Sequence, residues 1–353
     1  MLKKITYSQA LNKKSKIFID VRSPYEFNEA TIPGSINIPV LNNEERKTIG
    51  KIYHQKDPLS ARLKGVEFVS PKIPSMINRI KKLKKKFNYV IIFCSRGNLR
   101  SESLAQFSKL AGLPVYQLEG GYKSYRQFIL DQLENYQLNT PLITIHGYTG
   151  VGKTELLFLL KESDIPIIDI ENMANHRGSV FGSLGLNKPT NQKMFDSLLW
   201  EKLENIKNED FAAVEAESKK IGMATLPDFF IKSMAKGPQI LIKNSLEARI
   251  NRIYHEYVDH LQKDKIQFLN KIIELLSSVK KHLIRETGKE GYNELVELVH
   301  KGKIREVIKI LLTNYYDPLY NHSDKSINYE LIINNDNIRS AAYRIKQYIK
   351  ENY

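Results

Sequence analysis

The chain has one cysteine in 353 residues. That excludes an internal disulfide framework and any cysteine-rich zinc site. No stretch approaches the roughly 18 uninterrupted apolar residues of a membrane span. The N-terminus, MLKKITYSQALNKKSK, carries charge but no apolar run behind it. No secretory signal is read, and a cytoplasmic protein is expected. Internal repeats and low-complexity tracts are also missing. Acidic residues are outnumbered, with 39 Asp and Glu against 54 Lys and Arg, a net charge of +15. Such a surplus favours polyanionic partners, because Lys and Arg replace counterions around phosphates. A merely basic soluble protein is the plain alternative.

The length suggests two or three domains. Residues 1–135 read as short strands alternating with helices. KIFIDV (16–21) and YVIIFC (89–94) are strand candidates, and PVYQLEGGY ends in a Gly-Gly turn. In IPSMINRIKKLKKKF, Ile73, Ile77, Ile80, Leu83 and Phe87 recur at helical spacing with lysines on the other face. A linker, ENYQLNTP (134–141), precedes a second α/β unit over 141–245. Its strand candidates are PLITIH, IPIIDI (165–170), FAAVEAE (211–217) and PQILIK (238–243). Residues 246–353 read as a mostly helical, basic region packed with that unit. Breaks are expected at Tyr292 and Asp317-Pro318, and YELIIN is a candidate strand. Strands alternating with helices imply parallel α/β sheets.

Cys94 ends an apolar strand and opens the loop CSRGNLRS just before a helix. Backbone N–H groups at such a junction favour an anion. Arg96 and Arg100 add positive charge, so Arg96, Gly97, Arg100 and Ser101 are expected to cradle a thiolate or perchalcogenide. A lone buried cysteine is otherwise a small hydrophobe, but such a residue has no use for two arginines, a glycine and a helix start.

Gly147-Tyr148-Thr149-Gly150-Val151-Gly152-Lys153-Thr154 fits the phosphate-loop pattern G-x-x-x-x-G-K-[ST], between a candidate strand and a candidate helix. Gly147, Gly150 and Gly152 let the backbone wrap a phosphate, Lys153 reaches the terminal phosphate, and the Thr154 hydroxyl can hold Mg²⁺. The pattern indicates a phosphorylated ligand, without specifying a nucleotide. Asp169, Glu171, Glu215 and Glu217 follow strands, where acids could bind Mg²⁺ or act as bases. Ordinary solvated acids are the alternative. Asp169 and above all Glu215, in VEAE, are the candidates.

CSRGNLRS, with FIDVRSPYEFNEATIPGSINIP upstream, resembles the two hallmarks of rhodanese domains. That resemblance implies a Cys94 that carries transferable sulfur or selenium and an Asp20 and Arg22 that brace the fold. A rhodanese domain followed by a P-loop domain resembles the tRNA 2-selenouridine synthases. The particular segments are NNEERKTIGKIYHQ (42–55), ENMANHRGSVFG (171–182), AESKKIG (216–222) and YYDPLY (315–320). One departure is Asn98, where the family loop has Gly; Asn tolerates left-handed backbone better than most residues. The resemblance implies a transferase acting on wobble 2-thiouridine in the anticodon arm of tRNA. It would attach a geranyl group from geranyl diphosphate, then exchange geranylthio for selenium from selenophosphate, with Cys94 as S-selanylcysteine. An enzyme supplying selenophosphate is a further expected partner. Three features have two readings each. The run Arg79 to Lys86 could track tRNA phosphates or form a solvated helix face. Tyr315, Tyr316 and Tyr320 could stack on anticodon bases or edge a core. Arg249 and Arg252 could touch phosphate or only solvent. His146 and His176 lack metal-ligand spacing. The competing function is a P-loop kinase or NTPase regulated by a sulfur-carrying rhodanese domain, and a persulfide carrier that docks to a partner is a third.

Overall fold

A computed structural model describes residues 2–179, 182, 186, 188–256, 265–318, 327–335 and 337–353. They form two compact units, Met1–Asn135 with Lys193–Trp200, and Tyr136–Gln192 with Glu201–Tyr353.

The first unit runs β1 (Lys3–Ile5), α1 (Tyr7–Leu11), β2 (Lys16–Asp20), α2 (Pro24–Glu29), β3 (Ile36–Asn37), α3 (Asn43–Gln55), α4 (Pro58–Val69), α5 (Ile73–Lys84), β4 (Tyr89–Phe93), α6 (Leu99–Leu110), β5 (Tyr116–Leu118) and α7 (Gly121–Glu134). Its strands pair in parallel in the order β1-β5-β4-β2-β3. After their first residue, β2 and β4 are buried without alternation, as parallel strands covered on both faces must be. Helix starts are set locally. Ser23 with Glu26, and Asn42 with Glu45, form capping boxes at α2 and α3. On α5, Met76 and Ile80 enter the core and Ile73, Ile77 and Leu83 pack against it, with Phe87 beyond the helix end. Arg79, Lys81, Lys82, Lys85 and Lys86 are exposed.

The second unit runs β6 (Leu142–His146), α8 (Lys153–Glu162), β7 (Ile167–Ile168), α9 (Ile170–Ala174), α10 (Gln192–Ile206), β8 (Ala212–Glu215), β9 (Lys220–Ile221), β10 (Ala224–Thr225), α11 (Asp228–Lys236), β11 (Gln239–Lys243), α12 (Leu246–Tyr254), α13 (Lys265–Ser278), α14 (Lys280–His300), α15 (Ile304–Leu311) with a π-helical turn Leu312–Tyr316, β12 (Leu331–Asn334) and α16 (Ile338–Asn352). The first half of α10 belongs to the first unit, where Trp200 meets Phe128 edge-on at 5.4 Å. The main sheet is parallel in the order β12-β11-β6-β8-β7, and β9 and β10 form a separate antiparallel pair. YELIIN therefore supplies an edge strand of the phosphate-loop sheet, and α16 packs its Ala341, Ala342, Ile345 and Ile349 into the same core.

The helical segment forms its own core around Leu276, Leu283, Leu295, Val299, Val307 and Leu312. The expected break at Tyr292 is corrected: Tyr292 is buried within α14, and the chain turns at Gly288, whose φ of 76° suits a residue without Cβ. No helix among the described residues is long and apolar enough to cross a membrane.

Candidate functional site

In the first unit, β4 delivers Cys94 to the start of α6. The thiol is buried, and its sulfur accepts from the Asn98 N–H at 3.3 Å and the Ser101 hydroxyl at 3.3 Å. The protonated sulfur can also donate to the Asn98 carbonyl at 3.6 Å. Burial pushes the thiol up, but the Ser101 hydroxyl and the backbone N–H groups of Ser101, Arg96 and Asn98 outweigh it, so the thiol sits below its usual value. The loop is clamped by α7, because a Cβ on Gly121 would meet the Cys94 carbonyl at 2.2 Å and the Gly97 nitrogen at 2.4 Å. Only glycine allows that approach.

Two expectations about this loop change. Arg100 does not aim its charge at sulfur. It forms two bonds to Glu26 at 2.6 and 3.2 Å and donates to Ser95 Oγ at 2.9 Å. Arg96 has an exposed side chain and serves through its backbone N–H. The left-handed position belongs to Gly97, with φ 66°, whereas Asn98 is extended at φ −107°. Asn98 therefore meets no steric demand for glycine. Asp20 and Arg22 are buried and joined by three bonds of 2.6–3.0 Å; Arg22 also reaches the Ala30 carbonyl and Asp20 accepts from Thr31. That is a brace at the end of β2.

In the second unit, the phosphate loop lies between β6 and α8. Gly152, at φ 93°, caps α8 and turns the chain into the helix. Three successive carbonyls are held from outside the loop. Thr149 O accepts from Arg249 Nε at 2.8 Å, Gly150 O from Arg252 Nη1 at 3.2 Å, and Val151 O from Asn335 Nδ2 at 2.6 Å. Engaging these carbonyls from outside fixes the course of the loop between β6 and α8, and within it the Val151 N–H donates to the Tyr148 carbonyl at 3.2 Å. Lys153 is buried and donates to the Gly147 carbonyl at 3.0 Å. The Thr154 hydroxyl lies 2.8 Å from Glu171 Oε2 and 3.3 Å from Glu215 Oε2, and the Glu171 N–H binds Glu215 Oε1 at 3.0 Å.

Burial raises all three nearby carboxyls. Glu171 is pushed to about 7 by burial and the Glu217 charge against the pull of Lys153 and Thr154. Glu215 goes well above the usual range by burial and the Glu171 charge, and Glu217 also rises by burial. A cleft of 820 Å³ opens over the loop, with Glu171, Glu217, Arg177, Asn251 and Arg252 on its walls. A smaller apolar cavity of 60 Å³ adjoins it, sharing Thr149, Ser179 and Ile253 and lined by Phe268, Ile272, Val307 and Leu311.

Four expected assignments are corrected here. Asp169 accepts from the Asn172 N–H at 2.9 Å as the N-cap of α9, so it is not placed as an acid of the cleft. Arg249 is buried, its guanidinium bonded to Asp317 at 3.0 and 2.6 Å, so it braces the loop and is closed to tRNA. Tyr315 and Tyr316 are buried in the helical core with their rings 5.1 Å apart, so neither can stack on a base. Arg252 does line the cleft, bonded to the loop and, at 3.3 Å, to Glu155. Tyr320 lies outside the described residues. His146 bonds Gln239 at 2.6 Å, a structural contact. Sequence reasoning missed Glu26, Gln117 and Asn335. Glu26 was readable from the Ser23-x-x-Glu26 spacing; Asn335 offered no local signal.

Comparisons with known proteins agree with this two-part reading. A model described as the tRNA 2-selenouridine synthase AAA domain matches residues 140–352, and a rhodanese-like domain model matches residues 6–128. The tRNA 2-selenouridine synthase of Shewanella piezotolerans (strain WP3 / JCM 13877) is 32% identical over 326 residues, covering 86% of this chain and 87% of that protein. That of Nitrosomonas eutropha (strain DSM 101675 / C91 / Nm57) is 30% identical over 338 residues, with coverage of 86% and 87%. That of Shewanella woodyi (strain ATCC 51908 / MS32) is 29% identical over 345 residues, 91% of each chain. Likeness of this extent spans both the cysteine loop and the phosphate loop, and the chain belongs to the tRNA 2-selenouridine synthase family of tRNA-modifying enzymes.

Proposed function

We propose that this enzyme converts wobble 2-thiouridine of tRNA to 2-selenouridine through S-geranyl-2-thiouridine. The phosphate loop binds geranyl diphosphate, and Cys94 serves the selenium exchange, in which water takes the phosphoryl group of selenophosphate to release phosphate and selenide, the selenium forms the new bond to the base, and the geranylthio group leaves as its thiol. The observation that carries the first half is the junction of a phosphate cradle with an apolar cavity through Thr149, Ser179 and Ile253. A prenyl diphosphate has that polarity: an anionic head and a hydrocarbon tail. At roughly 10–15 Å³ of probe-occupied space per water-sized body, the 60 Å³ cavity suits about one isoprene unit of the tail.

In prenyl transfer the C1–O bond of the geranyl ester breaks, a C1–S bond forms to the thiouridine sulfur, and the electron pair leaves on diphosphate. Lys153 and N–H groups of the loop would stabilise that charge. The Thr154 hydroxyl and the Glu171 and Glu215 carboxylates are hard oxygen donors that fit Mg²⁺, which keeps waters and shares its shell with substrate phosphates. When bound, the ion would neutralise charge on the diphosphate. The net charge of +15 supports a polyanionic tRNA partner.

The test is reconstitution with thiolated tRNA, geranyl diphosphate, selenophosphate and Mg²⁺, with nucleosides read by mass spectrometry. Cys94→Ala should accumulate S-geranyl-2-thiouridine and make no 2-selenouridine. Normal 2-selenouridine from that variant would end the role of Cys94 in the exchange. ATP turnover unaffected by tRNA would move the kinase-like reading ahead.

A further inference from the structure

Gln117 sits on β5, in register with Ile92 of β4, and is 2% exposed. A polar side chain so deeply buried must satisfy its hydrogen bonds locally. Its amide nitrogen donates to the Gly97 carbonyl at 2.8 Å and to Ser101 Oγ at 3.1 Å. A carbonyl only accepts, so Gly97 fixes which end of the amide faces the cysteine loop: the NH₂ end, with one proton for each partner.

The consequence falls on Ser101. Its hydroxyl has one proton, and that proton cannot point at an amide that is already donating to the oxygen. Two acceptors lie in the remaining directions, Cys94 Sγ at 3.3 Å and Asn98 O at 3.0 Å. While sulfur is protonated it can itself give a hydrogen bond to Asn98 O. Once ionised it has no proton to give and becomes the stronger acceptor, so the Ser101 proton turns to it.

We propose that Gln117 is a positioning residue for Cys94, orienting the Ser101 hydroxyl to donate to the sulfur anion and, through Gly97, holding the loop that supplies the Asn98 N–H. The proposal rests on the reading that Cys94 serves the selenium exchange. Neighbouring charges do not substitute for this relay. On α2, Glu26 is committed to Arg100. At the end of β2, Arg22 is committed to Asp20. Arg96 and, on α6, Glu102 are exposed. Around α7, Glu119 and Lys123 are exposed and Tyr122 is buried, held neutral by burial.

Because Cys94 is the only cysteine, the rate of iodoacetamide alkylation of the full chain against pH reports this thiol alone. Ser101→Ala should raise the midpoint by roughly one pH unit, about a tenfold loss of thiolate at neutral pH. Gln117→Met, which keeps length but donates nothing, should raise it by a similar amount. The double variant should move it no further than Ser101→Ala. Gln117→Glu, a second probe should the Met variant fail to fold, should also raise it, since a carboxylate would take the Ser101 proton. Gln117 variants with native far-ultraviolet dichroism and an unshifted midpoint would overturn the proposal. The exchange reading fails separately, by 2-selenouridine formation in Cys94→Ala, whatever the alkylation profile.

Discussion

Arg249 and Asp317 form a two-bond ion pair, at 3.0 and 2.6 Å, and the same guanidinium holds the Thr149 carbonyl of the phosphate loop at 2.8 Å. The helical segment and the phosphate loop are thereby joined at one buried side chain. The pair has a structural consequence that a tRNA contact would not have. Removing one partner leaves a desolvated charge, which typically costs about 3–5 kcal/mol. Arg249→Ala should therefore unfold the second unit at markedly lower denaturant. Asp317→Asn, which keeps a hydrogen bond, should be milder and should raise KM for geranyl diphosphate while leaving tRNA affinity unchanged. Loss of tRNA affinity with normal stability would restore Arg249 as a nucleic-acid contact.

The Glu26–Arg100 pair makes the first unit sensitive to acid. Burial raises the Glu26 carboxyl, but Arg100's hydrogen bond and charge outweigh it and hold the group at about 2, against 4.5 when unperturbed. The folded-state value is depressed, so the stabilisation is complete above about 4.5 and is lost as pH falls toward 2. The shift corresponds to roughly 3 kcal/mol, and partial exposure of both side chains reduces that to about 1–2 kcal/mol. Glu26→Gln keeps the cap geometry and should cost that amount at pH 7. Denaturant titrations should show the difference from the parent shrinking toward pH 2–3. A constant difference across that range would sink the assignment.

The parts legible in the sequence are those encoded within a few residues. The phosphate loop occupies eight consecutive positions, and the cysteine loop places sulfur, N–H donors and Ser101 within eight more, Cys94 to Ser101. Contacts between distant segments were not legible. Asn335 meets the Val151 carbonyl across 184 positions, and nothing near Asn335 announces it. The buried tyrosines were readable. Ile304, Val307, Ile308 and Leu311 follow helical spacing, and continuing that stripe past Leu312 brings Tyr315 to the core side. Asp169 misled for a local reason: an acid after a strand can be a strand-end ligand or a helix N-cap, and the Asn172 N–H three residues on donates to it.

The apolar cavity beside the phosphate loop should set prenyl chain length. Val307 lines it and is buried. Val307→Phe fills the space, at a stability cost of about 1–3 kcal/mol, and should turn preference from geranyl toward dimethylallyl diphosphate. Phe268→Ala enlarges it and should admit farnesyl diphosphate. Competition assays with all three donors read the shift. Unchanged ratios with intact prenylation would place the tail elsewhere, whereas no prenylation by the parent enzyme would remove the prenyl reading altogether.

Lys153→Ala tests what the phosphate loop is for. Lys153 is buried and bonded to the Gly147 carbonyl at 3.0 Å. A cradle of N–H groups with one ammonium binds any diphosphate that fits, so nucleotide hydrolysis does not follow from the motif. If geranyl diphosphate occupies it, the ammonium acts where charge develops as the C1–O bond breaks. Loss of one such group typically lowers the rate about 10²–10³-fold. Prenylation by the parent enzyme should proceed with geranyl diphosphate and Mg²⁺ alone, and Lys153→Ala should lose that step. Selenium exchange on pre-geranylated tRNA should persist in the variant, because Cys94 lies in the other unit. An absolute need for ATP, or an unchanged prenylation rate in Lys153→Ala, would remove the diphosphate from this loop.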